Sequence, residues 1–288
     1  MASIFTHKDY RIFWLIAFVL PFASFAQKAD YSPAYFGPNA NPVPSFPNAR
    51  IPQATTIESS SNHHFGWGDY TRNLMLSAEI PLLPQRVSFK TWVPLFERYK
   101  VTQAIYDKRN MEGGKLTGKA NGDFYVQTKI SILTETHWRP SIILNSTLKT
   151  ASGTKFKQRR YFDTPGYYFD SEIGKSIYFE NKFLREVRGV VDFGFLCWET
   201  TNSTQNDAPM YGGKLILSND LFDFENTLSG YKGWMNNGDR PLVYAVKLTL
   251  KQPSFNSFIR YEYGIKDFPY HSIQVGTSFV LPTLTPKY

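Results

Sequence analysis

Histidine and serine could carry hydrolytic chemistry in this chain, but their spacing matches no known catalytic pattern. A serine nucleophile needs a base within hydrogen-bond reach and a group that orients the base. His137 is followed by tryptophan, arginine and proline, which supply no such partner. His271 precedes Ser272, but neighbouring side chains on a strand face opposite ways. Asp267 and His271 could still meet across one loop, and we otherwise expect no enzymatic activity.

The metal-ligating residue types also predict no site. The five histidines follow no spacing such as HExxH, and the adjacent His63 and His64 lack a third ligand. Cys197 is the only cysteine, which excludes an internal disulfide and a multi-cysteine zinc site. We expect Cys197 to be a small hydrophobic residue on an apolar face, and we expect no cofactor.

Composition excludes several classes of protein. Charged residues make up 19% and the mean hydropathy is −0.34, which excludes a solvated disordered chain and a helical membrane bundle. Aromatic residues reach 17%, an excess that a soluble core does not explain. The net charge is +8, but Lys and Arg are scattered along the chain, so we expect no nucleic-acid partner.

The N-terminus has the organisation of a secretory signal peptide, over residues 1–26. Lys8 and Arg11 precede an apolar segment, residues 12–22, that is too short to span a bilayer comfortably. Ser24 and Ala26 place small residues three and one positions before a cut that would leave Gln27 first. An uncleaved anchor helix is the alternative.

A Pro-rich segment follows, and we assign residues 27–53 as a periplasmic leader. Pro33, Pro38, Pro42, Pro44, Pro47 and Pro52 exclude a helix or an inner strand there. The sequence leaves open whether this leader plugs a lumen or extends into the periplasm.

Beyond the leader the hydrophobic pattern has a period of two. Leu242, Tyr244, Val246, Leu248 and Leu250 would share one face of a strand, with mixed residues on the other. Similar runs recur to the C-terminus, and short connections alternate with longer ones. Both features are typical of an antiparallel up-and-down transmembrane β-barrel of about 12 strands, which we assign to residues 54–288. A soluble β-sandwich or jelly roll is the alternative, but its dry core would not accept so many charges.

The faces opposite the apolar ones should line the barrel interior. Their charges are nearly balanced, which favours ion-pair networks over a pore selective for one sign of ion. Whether they only hold the barrel together or also line a solute path stays open. The candidate lumen-lining residues are Glu79, Lys90, Lys129, Asp170, Glu172, Glu186, Arg188, Asp192, Lys247, Arg260 and Glu262.

One predicted outer loop, residues 150–165, is strongly basic. Lys155, Lys157, Arg159 and Arg160 lie within six residues, and only Asp163 opposes them. We predict that these four cations contact anions at the outer surface, such as lipid headgroups or an acidic partner.

Two stretches carry a resemblance to a known family. The leader segment 34–44, Ala-Tyr-Phe-Gly-Pro-Asn-Ala-Asn-Pro-Val-Pro, and the segment 160–170, Arg-Tyr-Phe-Asp-Thr-Pro-Gly-Tyr-Tyr-Phe-Asp, resemble outer-membrane β-barrel proteins of Bacteroidota. The resemblance implies the outer membrane of a Gram-negative cell, and it assigns no catalytic residues.

Three function classes follow. The first is a porin-like channel or transporter-type barrel for a small solute. The second is a non-catalytic structural or accessory barrel of a larger outer-membrane complex, and an enzyme is the third. The expected partners are outer-membrane lipid and other outer-membrane or periplasmic proteins.

Overall fold

The computed structural model describes residues 32–198 and 206–286, so the signal-like segment and its cut before Gln27 lie outside the described residues. Strands make up most of this part of the chain. Their bounds are β1 (Thr55–Phe65), β2 (Asp69–Leu83), β3 (Val87–Val101), β4 (Thr117–Ala120), β5 (Tyr125–Leu133), β6 (Ser141–Lys149), β7 (Gly166–Tyr178), β8 (Glu186–Trp198), β9 (Asn206–Ser218), β10 (Phe222–Tyr231), β11 (Leu242–Lys251), β12 (Phe255–Lys266) and β13 (His271–Leu281).

Helices in the described part of the chain are short. The one α-helix, α1 (Gln103–Lys108), has six residues, and three-residue 3-10 helices span Pro33–Tyr35, Phe156–Gln158 and Pro282–Leu284. None of the described helices is long and apolar enough to cross a membrane.

The strands close into an antiparallel barrel. Each strand pairs with its neighbours in the chain, and β1 also pairs with β13, which joins the first and last strands. The exception is β4, which pairs only with residues 97–100 of β3, so β3 continues to β5 in the barrel wall. Twelve strands therefore form the barrel and one extra strand extends it, which confirms the predicted fold class.

Side chains alternate between the two faces of the wall, and the apolar face is outside. In β6, Asn145 and Lys149 are buried, whereas Leu144 and Leu148 are 44% and 45% exposed. In β11, Leu250 is 50% exposed and Ala245 is 4% exposed. A wall with paired polar residues inside and exposed apolar residues outside is typical of a transmembrane barrel, because lipid covers the outer face.

The longest described connections lie at one end of the barrel, although the connections 66–68 and 267–270 at that end are short. The short turns 84–86, 134–140, 179–185, 219–221 and 252–254 share one end, here called the inner end. The longest described connections, 102–124 (with α1 and β4), 150–165 and 232–241, share the other end, here called the outer end. This arrangement is the one that an up-and-down barrel produces.

A β-bulge in β3 changes which residues face inward. Leu74 pairs with Phe96 and Met75 pairs with Pro94, so Leu95 is the extra residue. Because one extra residue reverses the alternation, Lys90 below the bulge and Glu97 above it both face the interior.

Candidate functional site

The barrel interior contains the charged residues that the alternation assigned to it. All of them occupy inward positions of the wall, and several form ion pairs between neighbouring strands or across one intervening strand. Lys129 lies 2.7 Å from Glu79, and Lys214 and Lys247 lie 3.4 and 4.0 Å from Glu225. The inward set is Glu79, Lys90, Lys129, Asp170, Glu172, Glu186, Arg188, Asp192, Lys247, Arg260 and Glu262.

Three of these carboxylates lie together on β7 and β8. Glu172 is directly opposite Asp192 in the register, and Asp170 is two residues away on β7. Asn145 of β6 donates hydrogen bonds to Asp170 (2.5 Å) and Glu172 (2.6 Å). A side-chain amide can therefore hold two carboxylates in place, because it offers two donors.

The Pro-rich residues also lie in the interior, against these strands. We call residues 32–53 the N-terminal segment. The backbone N–H of Ala49 donates to Glu172 (2.6 Å), and the carbonyl oxygen of Phe46 accepts from Lys214 (2.6 Å). This placement differs from the periplasmic position expected for the leader. The physical reason is that a segment with many prolines cannot join the sheet, but its free carbonyl groups can pair with inward cations.

The inner end of the N-terminal segment is held mainly by arginine. Arg188 of β8 donates to the carbonyl oxygens of Asn48 (2.7 Å) and Ala49 (3.2 Å), and also to Glu135 (2.5 Å) in an inner turn. Burial acts to raise the pKa of Glu135, but the hydrogen bonds from Arg188 and from a backbone N–H outweigh it and lower this pKa. Arg50 pairs with Glu186 beside this group.

The middle of the segment fits a gap in the wall that glycine provides. The ring of Phe46 is 4% exposed and lies directly over Gly212 of β9, where a Cβ atom would overlap the ring. Lys214 lies 5.2 Å from the centre of the same ring. Val43 packs against the buried side chains of β7 to β10 that include Trp198 and Tyr231. The close approach of Phe46 therefore requires glycine at position 212.

The outer end is closed by two arginines and two carboxylates, which we call the outer charge cluster: Asp69, Glu97, Arg109 and Arg160. Arg160 donates to Glu97 (2.8 Å) and Asp69 (2.8 Å), and Arg109 donates to Asp69 (2.6 Å). All four side chains have 0% relative exposure. Breaking such buried pairs is costly, because a charge would remain without a partner.

The N-terminal segment contributes to this end of the interior. Asn39 donates to Glu97 (2.7 Å), and Arg109 donates to the carbonyl oxygen of Ala34 (3.1 Å). The hydroxyl of Tyr270 accepts from Arg109 (2.6 Å) and donates to the carbonyl oxygen of Phe36. The cluster therefore fixes the segment to the barrel wall and to the long loops together.

One predicted surface contact is corrected by this arrangement. Arg160 is fully buried in the outer charge cluster, and its carboxylate partners leave it no access to an anion outside. Lys155, Lys157 and Arg159 are exposed, and Lys157 lies 3.2 Å from Glu112. Three of the four cations of this basic run are therefore at the surface, and the fourth, Arg160, is in the interior.

Sequence reasoning missed Asp69, Glu97 and Arg109 as members of the interior. Alternation continued from Lys90 would place Glu97 outside, because the bulge at Leu95 is not visible in the pattern. Asp69 could have been found, since it lies an even number of residues before Glu79 on the same strand.

Two adjacent histidines of β1, His63 and His64, lie on opposite faces of the barrel wall. His64 hydrogen-bonds Ser272 (2.7 Å) in the interior, a pair that the spacing did not reveal. Within the described residues, no group bonds the other ring nitrogen of His64, so this pair lacks an orienting partner. His63 faces outward on the same strand, so the two adjacent histidines share no site. Residues 32–198 and 206–286 contain no group of three or more potential metal ligands among His, Cys, Asp and Glu.

Comparisons with known proteins agree with the architecture. No family model and no curated protein matches the chain. The NanC porin is similar in structure, with 11% identity over 78% of this chain and 100% of that chain, and a TM-score of 0.53. An outer-membrane channel from Pseudomonas putida F1 has 9% identity over 84% of this chain and 100% of that chain, with a TM-score of 0.51. The chain therefore has the fold of outer-membrane porin and channel barrels.

Proposed function

We propose that this chain is an outer-membrane channel or transporter-type barrel for a small solute, closed by its own N-terminal segment. The observation that carries the proposal is the position of residues 32–53 in the interior, hydrogen-bonded to inward residues at both ends. The apolar outer face supports a place in the membrane, and the motif resemblance supports a source in Bacteroidota. Export with cleavage before Gln27 belongs to the same proposal.

The contacts of the N-terminal segment would allow it to leave the barrel interior. Its described hydrogen bonds to the barrel strands all involve side chains of the wall, such as Arg188, Lys214 and Glu172, and none of them belongs to a strand ladder. Displacement would therefore break side-chain contacts and leave the wall intact. Because small barrels fill with side chains and only those with about 16–18 strands hold wide channels, the opened path would suit a small solute.

The interior lining indicates which solutes would fit. Inward cations such as Lys129 and Lys214 lie beside inward carboxylates such as Glu79 and Glu225. Such a lining offers donors and acceptors to a polar solute without a strong preference for either sign of charge.

A non-catalytic accessory barrel is the second candidate. The outer charge cluster favours it, because Arg109 and Arg160 are fully buried and paired, as in a permanently closed interior. In that case the barrel would support a larger complex through its loops and turns.

Conductance in planar lipid bilayers separates the two candidates. We would compare the full chain, a variant lacking residues 32–50, and a variant with a Gly/Ser sequence of equal length in their place. A channel predicts low conductance for the full chain and steady open conductance for both variants. Closed records from all three chains, each shown to be folded by heat-modifiable electrophoretic mobility, would favour the accessory barrel.

A further inference from the structure

Three basic side chains form a row across the outward face of the barrel near its outer end. Arg72 of β2 is directly opposite Arg98 of β3, and Arg98 is directly opposite Lys119 of β4. All three are exposed, and the intervening Thr71, Glu97 and Tyr99 are buried. We call Arg72, Arg98 and Lys119 the basic row. The extra strand β4 contributes its third residue.

The row is unusual because like charges face one another. Directly opposite residues of an antiparallel pair have Cβ atoms about 4.5–5.5 Å apart, and like charges at this distance destabilise the pair. His63 of β1, opposite Arg72, continues the row and supplies no negative charge.

No carboxylate neutralises the row within the described residues. None of the ion pairs in the described part of the chain includes Arg72, Arg98 or Lys119. The outward positions of β1 to β4 contain no Asp or Glu, and the nearby Glu97 faces the interior, where it binds Arg160. An anion from outside the chain would therefore relieve the repulsion.

The level of the row indicates where that anion comes from. Leu74 and Phe96 pair directly below it and are 39% and 37% exposed on the apolar outer face. The next outward-facing residues toward the outer end are Arg72 and Arg98, two residues further along each strand. At about 3.3 Å per residue, the row lies about 7 Å above the pair of Leu74 and Phe96. Arg98 lies 5.4 Å from the ring centre of Phe96, so cation and apolar surface are continuous. Lipid tails beside Leu74 and Phe96 would bring headgroups to the height of the row.

We propose that the basic row binds the phosphate groups of a lipid headgroup in the outer leaflet of the membrane. The proposal rests on the outer-membrane placement given under the proposed function, with the long connections at the outer end facing outside the cell as in other up-and-down barrels. Arginine suits this ligand because its planar guanidinium forms paired hydrogen bonds with phosphate oxygens. The row faces sideways from the wall, which favours a headgroup beside the barrel over a solute above it.

The test compares two variants with equal loss of charge. The row variant is Arg72→Gln/Arg98→Gln/Lys119→Gln, and the control is Lys108→Gln/Lys115→Gln/Lys232→Gln, three exposed lysines in the outer connections. Binding of bisphosphorylated lipid A to each full-length protein in detergent is measured by native mass spectrometry. We expect the row variant to bind about tenfold more weakly or worse, and the control within about twofold of the unaltered protein. Equal loss in both variants would overturn the proposal, since it would show general charge attraction.

Two further arms identify the ligand. Lipid A without its phosphates should bind the unaltered protein as weakly as the row variant binds the phosphorylated form. Inorganic phosphate should not displace the lipid, because it lacks the tails that contact Leu74 and Phe96. Displacement by inorganic phosphate would instead assign the row to a free anion and overturn the lipid assignment.

Thermal unfolding in lipid-free detergent separates a binding role from a structural one. Removal of mutually repelling cations should leave the row variant at least as stable as the unaltered protein. Added lipid A should then stabilise the unaltered protein and not the variant, and a variant unstable without lipid would contradict the proposal. Failure of the unaltered protein to enter lipid vesicles at all would instead contradict the proposed function.

Discussion

Arg188 donates a hydrogen bond of 2.7 Å to the backbone carbonyl oxygen of Asn48 and so joins the barrel wall to the N-terminal segment. We expect Arg188→Met to lower the free energy of unfolding by about 3 kcal/mol, because Glu135 and two carbonyl groups lose a buried partner. Urea titration in lipid vesicles measures this change. The control is Arg185→Met, since Arg185 and Asp220 form an exposed pair at 3.3 Å, for which we expect less than about 1 kcal/mol. Equal effects would show that Arg188 does not hold the segment.

Gly212 should be intolerant of a side chain because of Phe46. We expect Gly212→Ala to cost about 1–3 kcal/mol through overlap with the Phe46 ring. The adjacent Gly213 faces outward with nothing near its missing Cβ, so Gly213→Ala serves as the matched control and should have little effect. In a Phe46→Ala background, Gly212→Ala should cost much less, because the ring that it would overlap is absent. If the two substitutions lowered the free energy of unfolding additively, Phe46 would not be the group that excludes a side chain at position 212.

Two carboxylates outside the membrane-spanning strands should give opposite pH dependences. The pKa of Glu135 is lowered, so its contribution to stability is present above its unfolded value, about 4.3, and is lost as the pH falls through its folded pKa. Burial raises the pKa of Asp123 despite the ion pair with Lys149 (2.8 Å), so its contribution is present at low pH and is lost as the pH rises.

The matching variants are Glu135→Gln and Asp123→Asn, with unfolding midpoints measured from pH 7 to below pH 4. The advantage of the unaltered protein over Glu135→Gln should shrink as the pH falls. Its stability relative to Asp123→Asn should increase over the same range. Parallel trends in the two variants would contradict the assigned pKa directions.

The orientation of the barrel wall can be tested on β11. Val246 faces outward between Tyr244 and Leu248, and we expect Val246→Arg to cost about 2–4 kcal/mol near the membrane midplane. Lys247→Arg keeps a cation at the next, inward position and should cost little. Refolding yield and urea titration in vesicles measure both variants, and similar losses at the two positions would show that the register is wrong.

The sequence predicts the wall and most of its inward charges, but not the bulge in β3 or the segment that fills the interior. Period-two alternation depends only on which side meets lipid, so β11 and β6 could be recognised without tertiary information. The bulge at Leu95 could not, because one extra residue changes facing without changing composition, and Glu97 was missed for that reason.

The position of the N-terminal segment was also beyond the sequence. Its prolines exclude helix and sheet but do not say which partners its free carbonyl groups have. Arg160 shows the same limit, because a basic run gives no sign that one of its cations turns into a buried cluster with Asp69 and Glu97.

Photocrosslinking from position 43 tests most directly whether the N-terminal segment lies in the interior. A small diazirine side chain in place of Val43 would be activated in intact cells, and the products would be identified by mass spectrometry. The structure predicts crosslinks within the same chain, to β8 and β9 near Trp198 and Met210 and to β11 near Val243, because Val43 packs against both groups. Crosslinks mainly to periplasmic proteins, with none to these strands, would contradict the closed barrel.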